Sequence, residues 1–257
     1  MTVHLRQICL VAWELEPIVE QLRDVLGLQV CHRDPVVQQY GLENALLPIG
    51  TDFLEVIAPI EENTAASRYL NRLGRNGGYM VITQVDSEET QQAIKARAIA
   101  ARVRIAHEER RDGWSFCQLH PGDMEAAFLD LEFDEEVDYQ GCWYPAGGRS
   151  WRQFSNEDNP IQLTEVELLA TDPVALTRLW GNILGSSVDD PEYTINLANS
   201  SLYFKQKLET EYPCLNGLTL TVRNKDGILS RAKRLGCDRA DDQFEICGTQ
   251  FYLRSFN

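Results

Sequence analysis

The chain has 257 residues, 44% of them hydrophobic, and sets 24 basic against 39 acidic side chains for a formal net charge of −15. That charge argues against nucleic acid and anionic membranes as partners, and the composition is that of a globular protein of one large or two medium domains. Seven cysteines (Cys9, Cys31, Cys117, Cys142, Cys214, Cys237, Cys247) are odd in number, mostly set in apolar strand-like runs and never spaced CxxC. Buried thiols are therefore expected, rather than disulfides or a zinc site.

The opening MTVHLRQICLVAWELEP places Arg6 and Glu14 on either side of a short apolar run. It reads as a first strand, too short for a signal peptide's apolar region or a membrane span, and a cytoplasmic protein is expected. EPIVEQLRDVLG then spaces Ile18, Val19, Leu22 and Leu26 on one helical face, and Gly27 ends the helix. Strand-like stretches follow around LQVCHRD, LENALLPI and DFLEVIAP. After an NRLGRNGG loop a second copy runs YMVITQV, a helix from Ser87 to about Arg102, then VRIAHEE, WSFCQLH and AAFLDLEF.

Residues 138 to 160, DYQGCWYPAGGRSWRQFSNEDNP, mix Pro, Gly and polar residues as domain linkers do. A third copy opens with IQLTEVELLATDP; Asp172 and Pro173 stand where a helix wants a cap and a first-turn proline, and Gly185 closes the helix after Leu184. TINLA and SLYFKQ supply its later strands. The fourth copy is GLTLTVR, the helix DGILSRAKRLG and a closing hairpin through FEICGTQFYLR, with shortened strands. The expected organisation is a module pair at 1–137, a linker at 138–160 and a second pair at 161–257.

Copies of one module act as internal controls. The strand endings GTDFLEV (residues 50 to 56) and GTQFYLR (residues 248 to 254) align Glu55 with Leu253, so packing alone does not account for Glu55. Alternation sets Glu55 on a face with Phe53 and Ile57, and Gln7 on a face with Leu5, Cys9 and Val11. A carboxylate on an apolar face must pair, protonate or coordinate a metal. Salt bridges to arginines such as Arg6 or Arg104 are the structural alternative.

Leu26-Gly27 and Leu184-Gly185 at helix ends, the strand Phe53-Leu54-Glu55-Val56, and His120-Pro121-Gly122-Asp123 running into Phe128-Leu129-Asp130-Leu131 together resemble the vicinal oxygen chelate superfamily. This superfamily includes glyoxalase, methylmalonyl-CoA epimerase, extradiol dioxygenases and bleomycin-resistance proteins, and the first module is closest to its glyoxalase-like group. The resemblance covers essentially the whole chain. It implies an α+β fold of four βαβββ-type modules paired into two curved-sheet glyoxalase-like domains, the last module shortened.

It also implies a divalent metal (Mn, Mg, Ni, Zn or Fe) that leaves two positions free for adjacent oxygens of a substrate. Mapped through the repeat, the ligand positions of the first pair are Gln7, Glu55, Met80 and Asp130, so Gln7, Glu55 and Asp130 are the implied metal ligands. Glu55 and Asp130 are the catalytic candidates, for isomerase, lyase or ring-opening chemistry including dioxygenase-like chemistry. Met80 departs from the family's usual His, and a thioether is a poor ligand for hard ions. The second pair offers Glu165, Phe204, Gly217 and Leu253, from which no chelate can be built; that pair reads as degenerate and structural.

Trp143, Tyr144 and Trp151, with Arg149 and Arg152, are candidates for a substrate-contacting lid over the first cavity or for glue between domains. His32 and His107 read as surface groups and His120 as fixing a turn. No GxSxG, phosphate-binding glycine loop or HExxH occurs. The expected partner is a small molecule, with a homodimer allowed. The alternative to an enzyme is a metal-free binding or sequestering protein resembling the bleomycin-resistance members.

Overall fold

Amphipathic spacing makes the helices of this protein, and glycine ends several of them. The computed structural model, which describes residues 2–156, 161–186, 188–189 and 193–256, begins with strand β1 (Val3–Val11) and helix α1 (Leu15–Leu26). Leu15, Ile18, Val19, Leu22, Val25 and Leu26 are buried along α1, and Gly27, at φ 76°, donates its N–H to the Arg23 carbonyl at 2.8 Å. The stretch that follows is not the expected strand: it makes an isolated bridge, His32 to Leu46, before a 3-10 turn at Pro35–Tyr40. Asp34 accepts the Val36 N–H at 2.9 Å, and this cap with Pro35 turns the chain before a ladder can extend.

Strands β2 (Leu42–Ile49) and β3 (Asp52–Pro59) complete the first module. The NRLGRNGG stretch is a loop only at its centre: helix α2 (Ala65–Leu73), capped by Thr64, which accepts the Ser67 N–H at 3.0 Å, takes its first three residues, and the next strand takes its last two. The second module is β4 (Gly77–Val85), α3 (Glu88–Ala100), β5 (Ile105–Arg111), β6 (Trp114–Leu119), a one-turn helix α4 (Pro121–Met124) and β7 (Phe128–Asp134). His120 caps α4 by accepting the Gly122 N–H on Nδ1 at 3.0 Å, the turn-fixing role its sequence setting suggests.

The third module is β8 (Ile161–Ala170), α5 (Pro173–Leu184), β9 (Val188–Asp189), β10 (Thr194–Asn196) and β11 (Ser201–Gln206). Asp172 caps α5 by accepting the Ala175 N–H at 3.0 Å, with Pro173 in the first turn. The fourth is β12 (Cys214–Val222), α6 (Lys225–Arg234), β13 (Asp238–Ala240), β14 (Gln243–Ile246) and β15 (Thr249–Ser255). Its short β13 and β14 are the shortening read from the sequence. The fold is α+β, with paired βαβββ-type modules.

The strands form a seven-stranded sheet, β2-β3-β1-β4-β7-β6-β5, and an eight-stranded sheet, β13-β14-β15-β12-β8-β11-β10-β9. The sheets thus follow the sequence halves, the first and second modules in one and the third and fourth in the other. Compactness groups the modules differently. One unit comprises Met1–Gln7, Tyr79–Tyr139 and Glu165–Leu215, and within it α3 packs on α5. The other comprises Ile8–Gly78, Gln140–Thr164 and Asn216–Asn257, and within it α1 packs on α6.

The repeated Gly-Thr turn has a steric cause in this second unit. Gly50 (φ 61°) and Gly248 (φ 62°) both adopt the left-handed conformation. A Cβ on Gly50 would lie 2.8 Å from the Ile161 carbonyl oxygen, and one on Gly248 would lie 2.2 Å from that of Asn76. Only glycine satisfies both demands.

Candidate functional site

Glu55 lies in the middle of β3, 8% exposed, in the second unit. The antiparallel register opposes it to Leu46 of β2, and Asn44, two residues back on the same face, donates its Nδ2 to Glu55 Oε1 at 2.7 Å. Asn44 Oδ1 in turn accepts the Asp34 N–H at 2.8 Å. The buried Cys9 thiol also hydrogen-bonds to Glu55; burial first, and the neighbouring carboxylate second, push this thiol well above its ordinary pKa. Glu55 is therefore a buried carboxylate held by protein donors.

Beside it residues 141–151 fill space. Trp143, fully buried, stacks on Phe53 with ring centres 6.4 Å apart, and buried Trp151 meets Phe53 edge-on at 5.1 Å. Trp151 Nε1 donates to the Gly141 carbonyl at 2.7 Å, and Tyr144 is exposed. Two of the three aromatic candidates are thus committed to packing on the face that carries Glu55.

Gln7 and Asp130 belong to the first unit, both 2% exposed. Asp130 Oδ2 accepts Gln118 Nε2 at 2.8 Å, and its carbonyl accepts the Thr83 hydroxyl at 2.8 Å. Register aligns Asp130 with Ile82 of β4 and Gln118 of β6, and Met80 with Phe128. Alternation then sets Phe128, Asp130, Glu132 and Asp134 of β7 on one face with Trp114, Phe116 and Gln118 of β6.

Helix α3 covers the opposite face. Gln91 donates Nε2 to the Leu131 and Ser115 carbonyls at 2.7 and 3.2 Å and takes the Ser115 hydroxyl on Oε1 at 2.9 Å. The burial of β6 alternates accordingly: Ser115, Cys117 and Leu119 are buried, while Trp114, Phe116 and Gln118 are half-buried. On the floor of this half-open face, Glu132 accepts Trp114 Nε1 at 2.6 Å. Phe116 packs against Trp114 and His107 with ring centres 5.2 and 5.1 Å away. Arg111 sits over the Trp114 ring.

At the end of β7, Asp134 accepts Gln84 Nε2, and Gln84 Oε1 accepts fully buried Arg6, which also donates to the Asp138 carbonyl at 3.1 Å. Burial holds the Asp134 carboxyl above its ordinary pKa despite the Glu136 and Val137 N–H groups, each 3.0 Å from Oδ1. Arg104 pairs with Asp123 at 2.7 Å. Trp114, Phe116, Gln118 and Glu132 were not singled out from sequence, although the alternation of WSFCQL carries the signal.

Paired βαβββ modules with a carboxylate on the last strand of each of the first two copies define a vicinal oxygen chelate protein. The model of the glyoxalase-like domain family matches residues 8–184, well over half of the chain, and the chain belongs to that family. A hypothetical protein from Staphylococcus aureus superposes over 99% of this chain and 100% of its own with a TM-score of 0.66 at 11% identity, which shows the same fold throughout. Methylmalonyl-CoA epimerase in complex with methylmalonyl-CoA and NH4+ is 23% identical and covers 54% of this chain and 99% of its own, at a TM-score of 0.46. The Mycobacterium tuberculosis methylmalonyl-CoA epimerase is 20% identical, covering 51% of this chain and 87% of its own at 0.43. No curated protein matches the sequence.

The superfamily commonly uses a divalent metal. Measured on the donors present, the fit to such an ion is incomplete. Among the described residues no group of three or more His, Cys, Asp or Glu side chains is placed to hold one. Glu55, Asp130 and Glu132 each already accept a nitrogen donor, and buried Met80 stands at the implied imidazole position. In addition, no helix among the described residues is long and apolar enough to cross a membrane.

Proposed function

We propose that the protein binds a small molecule with adjacent oxygens, an α-hydroxycarbonyl or a vicinal diol, on the half-open face of β7 and β6, and that Asp130 is its catalytic base. The observation that carries this reading is the alternation of β6. With one face under α3, Trp114, Phe116 and Gln118 form a half-buried aromatic and amide wall above the buried carboxylates of Asp130 and Glu132. A ligand hydroxyl donates to the carboxylate, the Gln118 amide donates to a ligand oxygen, and the rings cover the carbon skeleton.

The reaction class is proton transfer next to a carbonyl. Asp130 takes the proton from carbon, the C–H electron pair stays with the substrate as an enediolate whose oxygen faces Gln118, and the proton returns to carbon. The test is deuterium uptake from D2O into a panel of α-hydroxycarbonyl compounds, followed by NMR. Uptake by the native chain that falls at least a hundredfold in Asp130→Asn is expected; uptake that persists in that variant would overturn the role of Asp130. Saturable quenching of tryptophan fluorescence without exchange supports the sequestering alternative.

A further inference from the structure

The second unit contains a cleft of about 330 Å³ that the reading above does not use. Its walls are the end of α1, with Arg23, Asp24, Leu26 and Gly27, the residues that lead into α6, Arg223 and Asn224, and Arg231 of the last turn of α6. Its volume falls within the range of small-molecule pockets, at the lower end. Its charge runs against that of the chain: the described lining residues supply Arg23, Arg223 and Arg231 against one acid, Asp24, in a protein of net charge −15.

Among the described residues, neither the Arg23 nor the Arg223 side chain makes a hydrogen bond or ion pair. Arg231 donates Nε to the Val25 carbonyl at 2.8 Å, which fixes its guanidinium at the cleft and leaves its outer nitrogens uncommitted. Burial, and then the nearby Arg234, lower the Arg231 pKa, the signature of a cation without a carboxylate partner. Asn224 commits Oδ1 to the Gly227 N–H at 3.0 Å, so its amide donors stay available. Gly227 is what makes room: a Cβ there would lie 2.5 Å from Asn224 Nδ2.

We infer that this cleft is an oxyanion-binding site, built for the phosphate or carboxylate of a small molecule. Guanidinium groups that line one cleft match the forked oxygens of such anions and bind them through charge-assisted hydrogen bonds. Apolar Leu26, Ile161, Val222 and Ile228 provide the surface on which the uncharged part of the ligand rests.

The test uses the full chain, with inorganic phosphate and acetate titrated at constant ionic strength and read by thermal shift and by NMR of the arginine side chains. A saturable shift is expected with at least one of the two, weakened at least tenfold in Arg223→Gln and in Arg231→Gln and unchanged in Arg72→Gln, an exposed arginine outside the cleft. Phosphate preferred over acetate points to a phosphate ester, and the reverse to a carboxylate; either supports the site. Arg223→Gln removes no hydrogen bond of the fold, so it serves even if Arg231→Gln unfolds. A shift that follows ionic strength alone, or that Arg72→Gln weakens equally, overturns the inference.

Discussion

The Glu55 face and the Asp130 face are built from the same module pattern yet finished in opposite ways. Around Glu55, Trp143 and Trp151 pack on Phe53, and Asn44 and Cys9 hold the carboxylate. Around Asp130, the aromatic residues come from β6 itself and remain half-buried beside the buried carboxylates. A duplicated module therefore fixes where a carboxylate stands, and the segment beside it decides which side chains pack against that carboxylate. Phe204 and Leu253, at the matching positions of the other two copies, show how readily such a place becomes plain core.

The largest expected effect lies in the plug. Trp143→Ala should destabilise the protein by about 3–5 kcal/mol in denaturant unfolding, since it removes a fully buried indole stacked on Phe53. Trp114→Ala on the half-open face should cost distinctly less while abolishing ligand-dependent fluorescence changes. Equal costs for the two would erase the distinction between the faces.

Next comes Asn44→Ala, which removes a donor from a buried carboxylate and leaves the Asp34 N–H without its acceptor. A loss of about 1–3 kcal/mol is expected at neutral pH. If unfolding shows no loss, Glu55 is not held in the way described and its face is open after all.

The smallest effects are in the pH dependence of stability, and they have opposite signs. Asp134 has its folded-state pKa raised by burial, so the fold favours the neutral acid. That stability is fully present below the unfolded value, about 4, and is lost as pH rises through the folded value. Asp123 has its pKa held down to about 2, first by the hydrogen bond from Arg104. Its contribution is present above about 4 and lost as pH falls through about 2. Asp134→Asn should flatten the first slope and Asp123→Asn the second; melting temperatures across the acid range check both.

The fold was largely legible because its signals are local and repeated: helix faces such as Ile18, Val19 and Leu22, caps such as Asp172, and glycines such as Gly50 and Gly248 whose conformation no other residue takes as easily. Two elements were misread for equally local reasons. The stretch around Cys31 has strand composition but is stopped by the Asp34 and Pro35 turn, and α2, short and capped by Thr64, buries Ala66, Tyr69 and Leu70 within a polar sequence that ends in the stretch read as a loop. The site was legible only as positions. Repeat alignment could mark Glu55 and Asp130, but their difference depends on Trp143 and Trp151, brought in by a segment whose path no periodicity describes.

The chain of bonds from the Asp34 N–H through Asn44 to Glu55 has a practical reach. Because Asn44 spends its oxygen on Asp34, its amide cannot flip, and whatever happens at the Glu55 carboxylate is transmitted along a rigid, polarised group to the mouth of the 3-10 turn. The backbone amide resonance of Asp34 should therefore serve as a built-in probe, reporting protonation or ligation of a buried carboxylate from a loop that neither event touches.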